Sequence, residues 1–225
     1  MVQFREIVLD TETTGLNPKG GDRLVEVGCV ELINKVRTGN TFHRFVNPER
    51  EVPEEVVRIH GLTTEFLKDK PLFKHVANEF VDFIGTSNLV IHNANFDLGF
   101  INAEFAYVGI PQINPKRVTD TLMVARKKFP GSPASLDALC KKYNISLHTR
   151  DKHGALIDAE LLALVYIELS GGAQNSLVLE AAKSEQKVVE LARQQRQKRS
   201  FDLTPEEEAN HKDFLKAINS PLWEG

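Results

Sequence analysis

Short apolar runs of strand type crowd the first third of the chain. Glu6–Leu9 is a brief buried run, Arg23–Leu32 alternates well enough to lie beside it, and Asn17–Asp22 between them carries turn residues. Thr41–Asn47 predicts a third strand, closed by Pro48. The period then changes. Pro53–Ile59 and Pro71–Ile84 space their apolar residues at threes and fours, as at Phe73, Val76, Phe80, Val81 and Ile84, which predicts helices. Asn88–Ile91 predicts another buried strand, His92–Asn95 a polar loop opening a helix through Tyr107, and Val118–Asp120 a last short strand. Helices follow at Thr121–Lys128, Ser135–Tyr143 and Ala155–Leu169. The second of these is capped by Ser135, with Leu136, Leu139 and Cys140 facing inward. Strands first, then strands mixed with helices, predict an α/β fold around a mixed sheet.

The pattern shifts after Gly171 and Gly172, which stop the long helix. Ala173–Leu179 is a short mixed segment. Glu180–Ser200 is rich in Lys, Arg, Glu and Gln, with few large apolar residues, and reads as a solvated helix or a disordered linker. Apolar residues return at Phe201, Leu203, Phe214, Leu215, Ile218, Leu222 and Trp223. A tail this short cannot bury them by itself, so it docks on another surface or folds back on its own domain. The expected organisation is a domain over 1–172, a linker segment over 173–200 and a docking segment over 201–225.

With 225 residues, 41% hydrophobic and 26% charged, the chain is long enough for one globular domain with a sizeable core and some length left over. The net charge of −3 provides no global basic field, so any grip on nucleic acid must be local. Cys29 and Cys140 lie inside apolar segments without metal-type spacing and read as buried thiols of a reducing compartment. No stretch approaches the roughly 20 apolar residues of a membrane span. With no charged-then-apolar leader at the N-terminus, the cytosol is the expected location.

Candidate chemistry begins at Asp10-Thr11-Glu12. Side chains alternate along a strand, so both carboxylates project from one face with Thr11 on the other. Two such acids beside Gly15 repel each other unless a cation sits between them, and a hard divalent ion held by carboxylates and substrate phosphates suits that place. A solvated strand end carrying two ordinary acids is the competing reading. Asp97 opens a helix after His92-Asn93-Ala94-Asn95-Phe96, a position that also suits a plain first-turn acid. Asp158 falls in the first turn of the Ala155–Leu169 helix, and His153 precedes it beside Gly154, which places an imidazole on a mobile loop near a fixed carboxylate. Ile59-His60-Gly61 is a polar segment between two helices. His43, His75, His92, His148 and His211 read as ordinary surface or core groups, and Arg126-Lys127-Lys128 as a strand guide or a solvated helix face.

Taken together these residues resemble the motifs of the DnaQ-like DEDDh 3′-to-5′ exonucleases over residues 5 to about 172. Asp10 and Glu12 match the first motif, DxExTG. Asp97 matches the second, and His153 with Asp158 matches the third, H-x4-D. VLDTETTGL, FHRFVNPER, VIHNANFDLGF, VARKKFPG, SLDALCKKY and HGALIDAELLA resemble most closely the epsilon-type proofreading exonucleases of bacterial DNA polymerase III. That likeness implies a ribonuclease H-like fold, a central mixed five-stranded sheet flanked by helices with a C-terminal tail. It also implies two ions, Mg²⁺ or Mn²⁺, roughly 4 Å apart. Asp10 would bridge them, with Glu12 and Asp158 on the ion of the nucleophilic water and Asp97 on the other. His153 would take a proton from that water. Thr13, Leu16, Glu55, Ile59 and His60 match positions that contact the terminal nucleotide, with Glu54 the competitor for Glu55 if the register slips.

The tail extends the resemblance. Gln174-Asn175-Ser176-Leu177-Val178-Leu179 is similar to a sliding-clamp-binding hexapeptide, and Ser220-Pro221-Leu222-Trp223 to an end that binds the polymerase alpha subunit. The implied protein is a monomer within a heteromeric core complex of the cytoplasmic, nucleoid-associated replisome, acting on a single-stranded or frayed 3′ DNA end. Two other readings fit the same residues: a free-standing nuclease that trims RNA ends or short oligonucleotides, and a non-catalytic module that tethers a polymerase. A solitary nuclease has no use for the tail, and the presence of all five catalytic positions, Asp10, Glu12, Asp97, His153 and Asp158, argues against a module that does not cut.

Overall fold

The computed structural model describes residues 3–147, 153–171 and 203–216. His148, the clamp-like hexapeptide Gln174–Leu179, the polar stretch 180–200 and the Trp223 end lie outside the described residues. The chain divides into two units, Met1–Val178 and Leu179–Gly225.

The first unit is built on strands β1 (Arg5–Thr13), β2 (Leu24–Ile33), β3 (Val36–Phe45), β4 (Asn88–Ile91) and β5 (Val118–Asp120). Their order across the sheet is β3-β2-β1-β4-β5. The first three strands pair antiparallel, whereas β1–β4 and β4–β5 pair parallel. This is the mixed five-stranded sheet expected from the sequence. Helices α1 (Glu54–His60), α2 (Thr64–Lys68) and α3 (Phe73–Ile84) follow β3. Helix α4 (Ala94–Tyr107) joins β4 to β5, and α5 (Thr121–Lys128), α6 (Leu136–Lys142) and α7 (Ala155–Leu169) follow β5.

Strand alternation gives the sheet two cores. Ile7, Leu9, Val27 and Cys29 pack against Phe73, Phe80 and Phe105 of α3 and α4. On the other face Val8, Val30 and Val90 meet Ala159, Leu162, Ala163 and Tyr166 of α7. Helix α7 lies between the sheet and a further layer in which Leu161, Val165 and Leu169 meet Leu139 and Cys140 of α6, so it is apolar on nearly every side. The two cysteines are buried and unbridged, as anticipated.

Two strands depart from their predicted bounds by more than two residues, and one α-helix of this unit is unpredicted. Strand β1 runs past Leu9 through Asp10 and Glu12, because their backbones keep pairing with Gly28 and Glu26 of β2. Strand β3 begins at Val36 rather than Thr41, after a tight turn in which Asn34 and Lys35 both have positive φ, the conformation that two-residue hairpins use. Helix α2, five residues long, has no counterpart in the predicted elements; it is too short to display a 3.6-residue period, and its Thr63 cap accepts from the Phe66 amide.

The second unit contributes α8 (Pro205–Lys216), whose first turn carries Glu206, Glu207 and Glu208 at the positive end of the helix dipole. Leu203 and Phe214 are exposed there.

Candidate active site

The parallel side of the sheet decides where the acids meet. β1 and β4 run together, so the chain leaves both at the same edge, and α4 starts where β1 carries Asp10 and Glu12. Asp10 sits opposite Gly28 and Glu12 opposite Glu26 in the β1–β2 ladder, which puts both carboxylates on the α7 face. A register shift between Glu12 and Thr13 bends the strand there, as bulges do beside functional sites.

Asp158 reaches the same place from α7 because Gly28 has no side chain. A Cβ at Gly28 would lie 2.3 Å from the Ala155 carbonyl carbon and 2.3 Å from the Leu156 nitrogen, so the first turn of α7 rests directly on β2 beside Asp10. Asp158 is buried, and its Oδ2 stands 3.1 Å from His153 Nδ1. Donor atoms of Glu12, His153 and Asp158 all lie within 4.8 Å of one another. The His153 backbone N–H donates to the Ile59 carbonyl at 3.2 Å, tying the histidine loop to the end of α1.

Asp97 enters from the opposite face of β1. Its carboxylate accepts the Thr11 hydroxyl at 2.7 Å, so the residue between Asp10 and Glu12 holds it against the strand. Burial is the main influence on this acid, raising it from the ordinary 3.8 to about 7; the Thr11 bond opposes that rise and Asp120 adds to it. A cation at the site would reverse that balance.

The expected site residues therefore divide. Glu12, Asp158 and His153 form one tight group, Asp10 shares the strand face of Glu12, and Asp97 adjoins through Thr11. Leu16 and Ile59, named as base contacts, are large apolar side chains left 83% and 53% exposed. Thr13 is buried and donates to the Gly15 carbonyl at 2.6 Å. His60 is buried with Nδ1 accepting the Leu62 amide, whereas Glu55 and its competitor Glu54 are both exposed. In the basic cluster, Lys128 donates to the Leu169 carbonyl at 2.9 Å and so closes the C-terminus of α7.

Thr11, Gly28 and Asp120 complete the geometry and were not singled out from the sequence. Thr11 had the position between two acids as its only signal. Gly28 looked like any strand glycine, and its need for close approach exists only once α7 is in place.

The exonuclease family model RNase_T matches residues 7–166. DNA polymerase III subunit epsilon of Rickettsia felis is 45% identical over 225 residues, covering 97% of this chain and 98% of the relative. The subunit epsilon of Escherichia coli is 44% identical over 235 residues, 97% of each chain. Among solved structures, Exonuclease X in complex with 5′ overhanging duplex DNA aligns with a TM-score of 0.58 at 27% identity, covering 73% of this chain and 90% of that one. The nuclease domain of 3′hExo, a DEDDh family member bound to rAMP, aligns with a TM-score of 0.64 over 75% of this chain and 94% of its own. At 18% identity it shows the fold alone. With the exonuclease match spanning most of the sequence, and relatives above 40% identity from end to end, this chain belongs to the DEDDh exonuclease family, among the epsilon subunits of DNA polymerase III.

Proposed function

We propose that this chain is the proofreading 3′-to-5′ exonuclease of a replicative polymerase, removing mispaired terminal nucleotides one at a time as nucleoside 5′-monophosphates. The observation that carries the reading is the meeting of Glu12, Asp158 and His153 within 4.8 Å at the end of β1.

The donor set fits divalent ions. Asp10, Glu12, Asp97 and Asp158 offer hard oxygens, the ligands that Mg²⁺ and Mn²⁺ select, and their mutual repulsion calls for positive charge. Bound by these four, two such ions supply Lewis acidity at the scissile phosphate and lower the pKa of the attacking water.

The protein's own part is positioning and proton transfer. An ionised Asp158 can only accept, so the neutral His153 ring carries its hydrogen on Nδ1 and its lone pair on Nε2. Nε2 takes a proton from the attacking water. The water oxygen bonds to phosphorus, the P–O3′ bond breaks, and its electron pair leaves with the O3′ of the shortened strand. Leu16 and Ile59 supply apolar surface for the terminal base, with Thr13, Glu55 and His60 as the accompanying nucleotide contacts. Mispaired ends fray at lower cost than paired ones, and stacking tolerates every base, so selection follows from strand opening.

The tail fits the same role. We assign sliding-clamp contact to Gln174–Leu179 and polymerase alpha-subunit contact to 201–225, where Leu203 and Phe214 stand exposed. Location with the cytoplasmic replisome follows; among the described residues no helix is long and apolar enough to cross a membrane.

The test is release of nucleoside monophosphates from single-stranded DNA with Mg²⁺ or Mn²⁺, with an RNA strand of the same sequence beside it. Wild type is expected to release them from DNA, and Asp10→Ala with Glu12→Ala to release none. No release by wild type, or undiminished release by the double variant, overturns the catalytic reading; preference for RNA overturns proofreading. Pull-down by the full chain but not by a truncation after Gly172 is expected for both partners.

A further inference from the structure

Helix α4 starts without a cap of its own. Asn93, its N-cap, sits in the left-handed region at φ 62°, ψ 52°, and its side chain makes no capping hydrogen bond. That conformation costs a non-glycine residue about 1 kcal/mol and needs outside support. The support comes from Asp120, at the end of β5. Its Oδ1 accepts the Asn93 N–H at 3.1 Å and its Oδ2 accepts the Ala94 N–H at 3.2 Å. The same Oδ1 accepts the Leu122 N–H at 2.9 Å, capping α5.

One carboxylate thus joins the N-termini of two helices across the β4–β5 edge, where Ile91 and Asp120 are paired in register. A second link runs in parallel: His92 Nδ1 meets Thr121 Oγ1 at 2.9 Å. Asp97 projects from the turn held in this way, and Thr11 meets its carboxylate at 2.7 Å from the other side. The position of Asp97 relative to β1 therefore depends on where Asp120 holds the start of α4.

Resting on the two-ion reading above, we infer that Asp120 is a positioning residue for the Asp97 ion site, acting through the Asn93 and Ala94 amides. It touches neither substrate nor ion. Its charge also bears on the Asp97 carboxyl directly, and its positioning influence passes through main-chain placement, as outer partners of metal ligands do.

Asp120→Ser separates this role from capping of α5. Serine remains a good N-cap for the Leu122 end of its own helix, but its side chain is too short to span to Asn93 and Ala94. Mn²⁺ binding to the full chain, followed by loss of the free-ion electron paramagnetic resonance signal, is the readout. Wild type is expected to bind two ions and Asp97→Ala one. Asp120→Ser is expected to keep one site at wild-type affinity and to weaken the other by about tenfold or more. Asp120→Asn keeps an oxygen for the Asn93 and Leu122 amides and is expected to fall between, which covers a serine variant that folds poorly. In an Asp97→Ala background, Asp120→Ser is expected to leave the remaining site unchanged.

Two unaltered sites in Asp120→Ser or Asp120→Asn, or a weakened remaining site in the double variant, overturns the inference alone. A wild type without two Mn²⁺ sites, or Asp97→Ala retaining both, overturns the two-ion reading and this inference with it.

Discussion

Replacing Gly28 with alanine adds one methyl group at a residue that performs no chemistry. The added carbon would sit 2.3 Å from two main-chain atoms of α7 and 2.4 Å from a third, the Ala155 carbonyl oxygen. Ordinary contact begins near 3.4 Å, so the first turn of α7 must withdraw by about 1 Å. No rotamer change can relieve this, because the obstacle is backbone. Withdrawal loosens the packing of Ala159, Leu162 and Ala163 on Val8 and Val30, an overpacking cost of about 1–3 kcal/mol. In a protein of this size that corresponds to roughly 2–4 °C of Tm per kcal/mol. It also carries Asp158 and His153 away from Glu12, and a 1 Å misplacement at a reacting centre costs on the order of 10²-fold in rate. Thermal unfolding and kcat for nucleotide release measure the two effects on one preparation. Gly99→Ala is the matched control: the new carbon meets only Pro18 Cγ, at 3.6 Å, and helix propensity predicts a gain of about 0.5–1 kcal/mol with kcat unchanged. A Gly28→Ala protein with wild-type Tm and kcat would refute the claim that the glycine sets the approach of α7.

Three further outcomes follow from the same geometry. Asp97 keeps its proton in the folded, metal-free protein up to about pH 7, whereas the unfolded chain loses it near 3.8, so stability falls as pH rises between those values. The slope approaches 1.4 kcal/mol per pH unit and is absent in Asp97→Asn; melts in chelator at pH 5 and 7.5 measure it, and equal slopes in both proteins would contradict the assignment. His153→Ala is expected to lower kcat by about 10²–10⁴-fold while Mn²⁺ still binds, and lost binding in a calorimetric titration would make it a ligand instead of a base. Tyr166→Phe is the structural contrast: its hydroxyl donates to Glu6, 1% exposed, at 2.6 Å, so unfolding should become easier by about 1–3 kcal/mol with kcat unaffected, and a fall in kcat at constant stability would count against that view.

Much of the site was legible because its signals are local. The alternation Asp10-Thr11-Glu12 fixes a shared strand face, and the bounds Asn88–Ile91, Val118–Asp120, Thr121–Lys128 and Ala155–Leu169 agree with those observed. The division of roles among the acids came from family resemblance, since one carboxylate looks like another along a chain. Asp120 went unremarked because its service to α4 spans 26 residues and only its capping of α5 is visible locally.

The sequence by itself determined which faces are apolar and which short segments carry carboxylates, since strand and helix periods are properties of neighbours. Only the tertiary structure decided that β4 pairs parallel to β1, that α7 lies flush on Gly28, and that Thr11 meets Asp97. Those facts rest on contacts between residues tens of positions apart. No local pattern encodes them; packing of the two sheet faces selects them together.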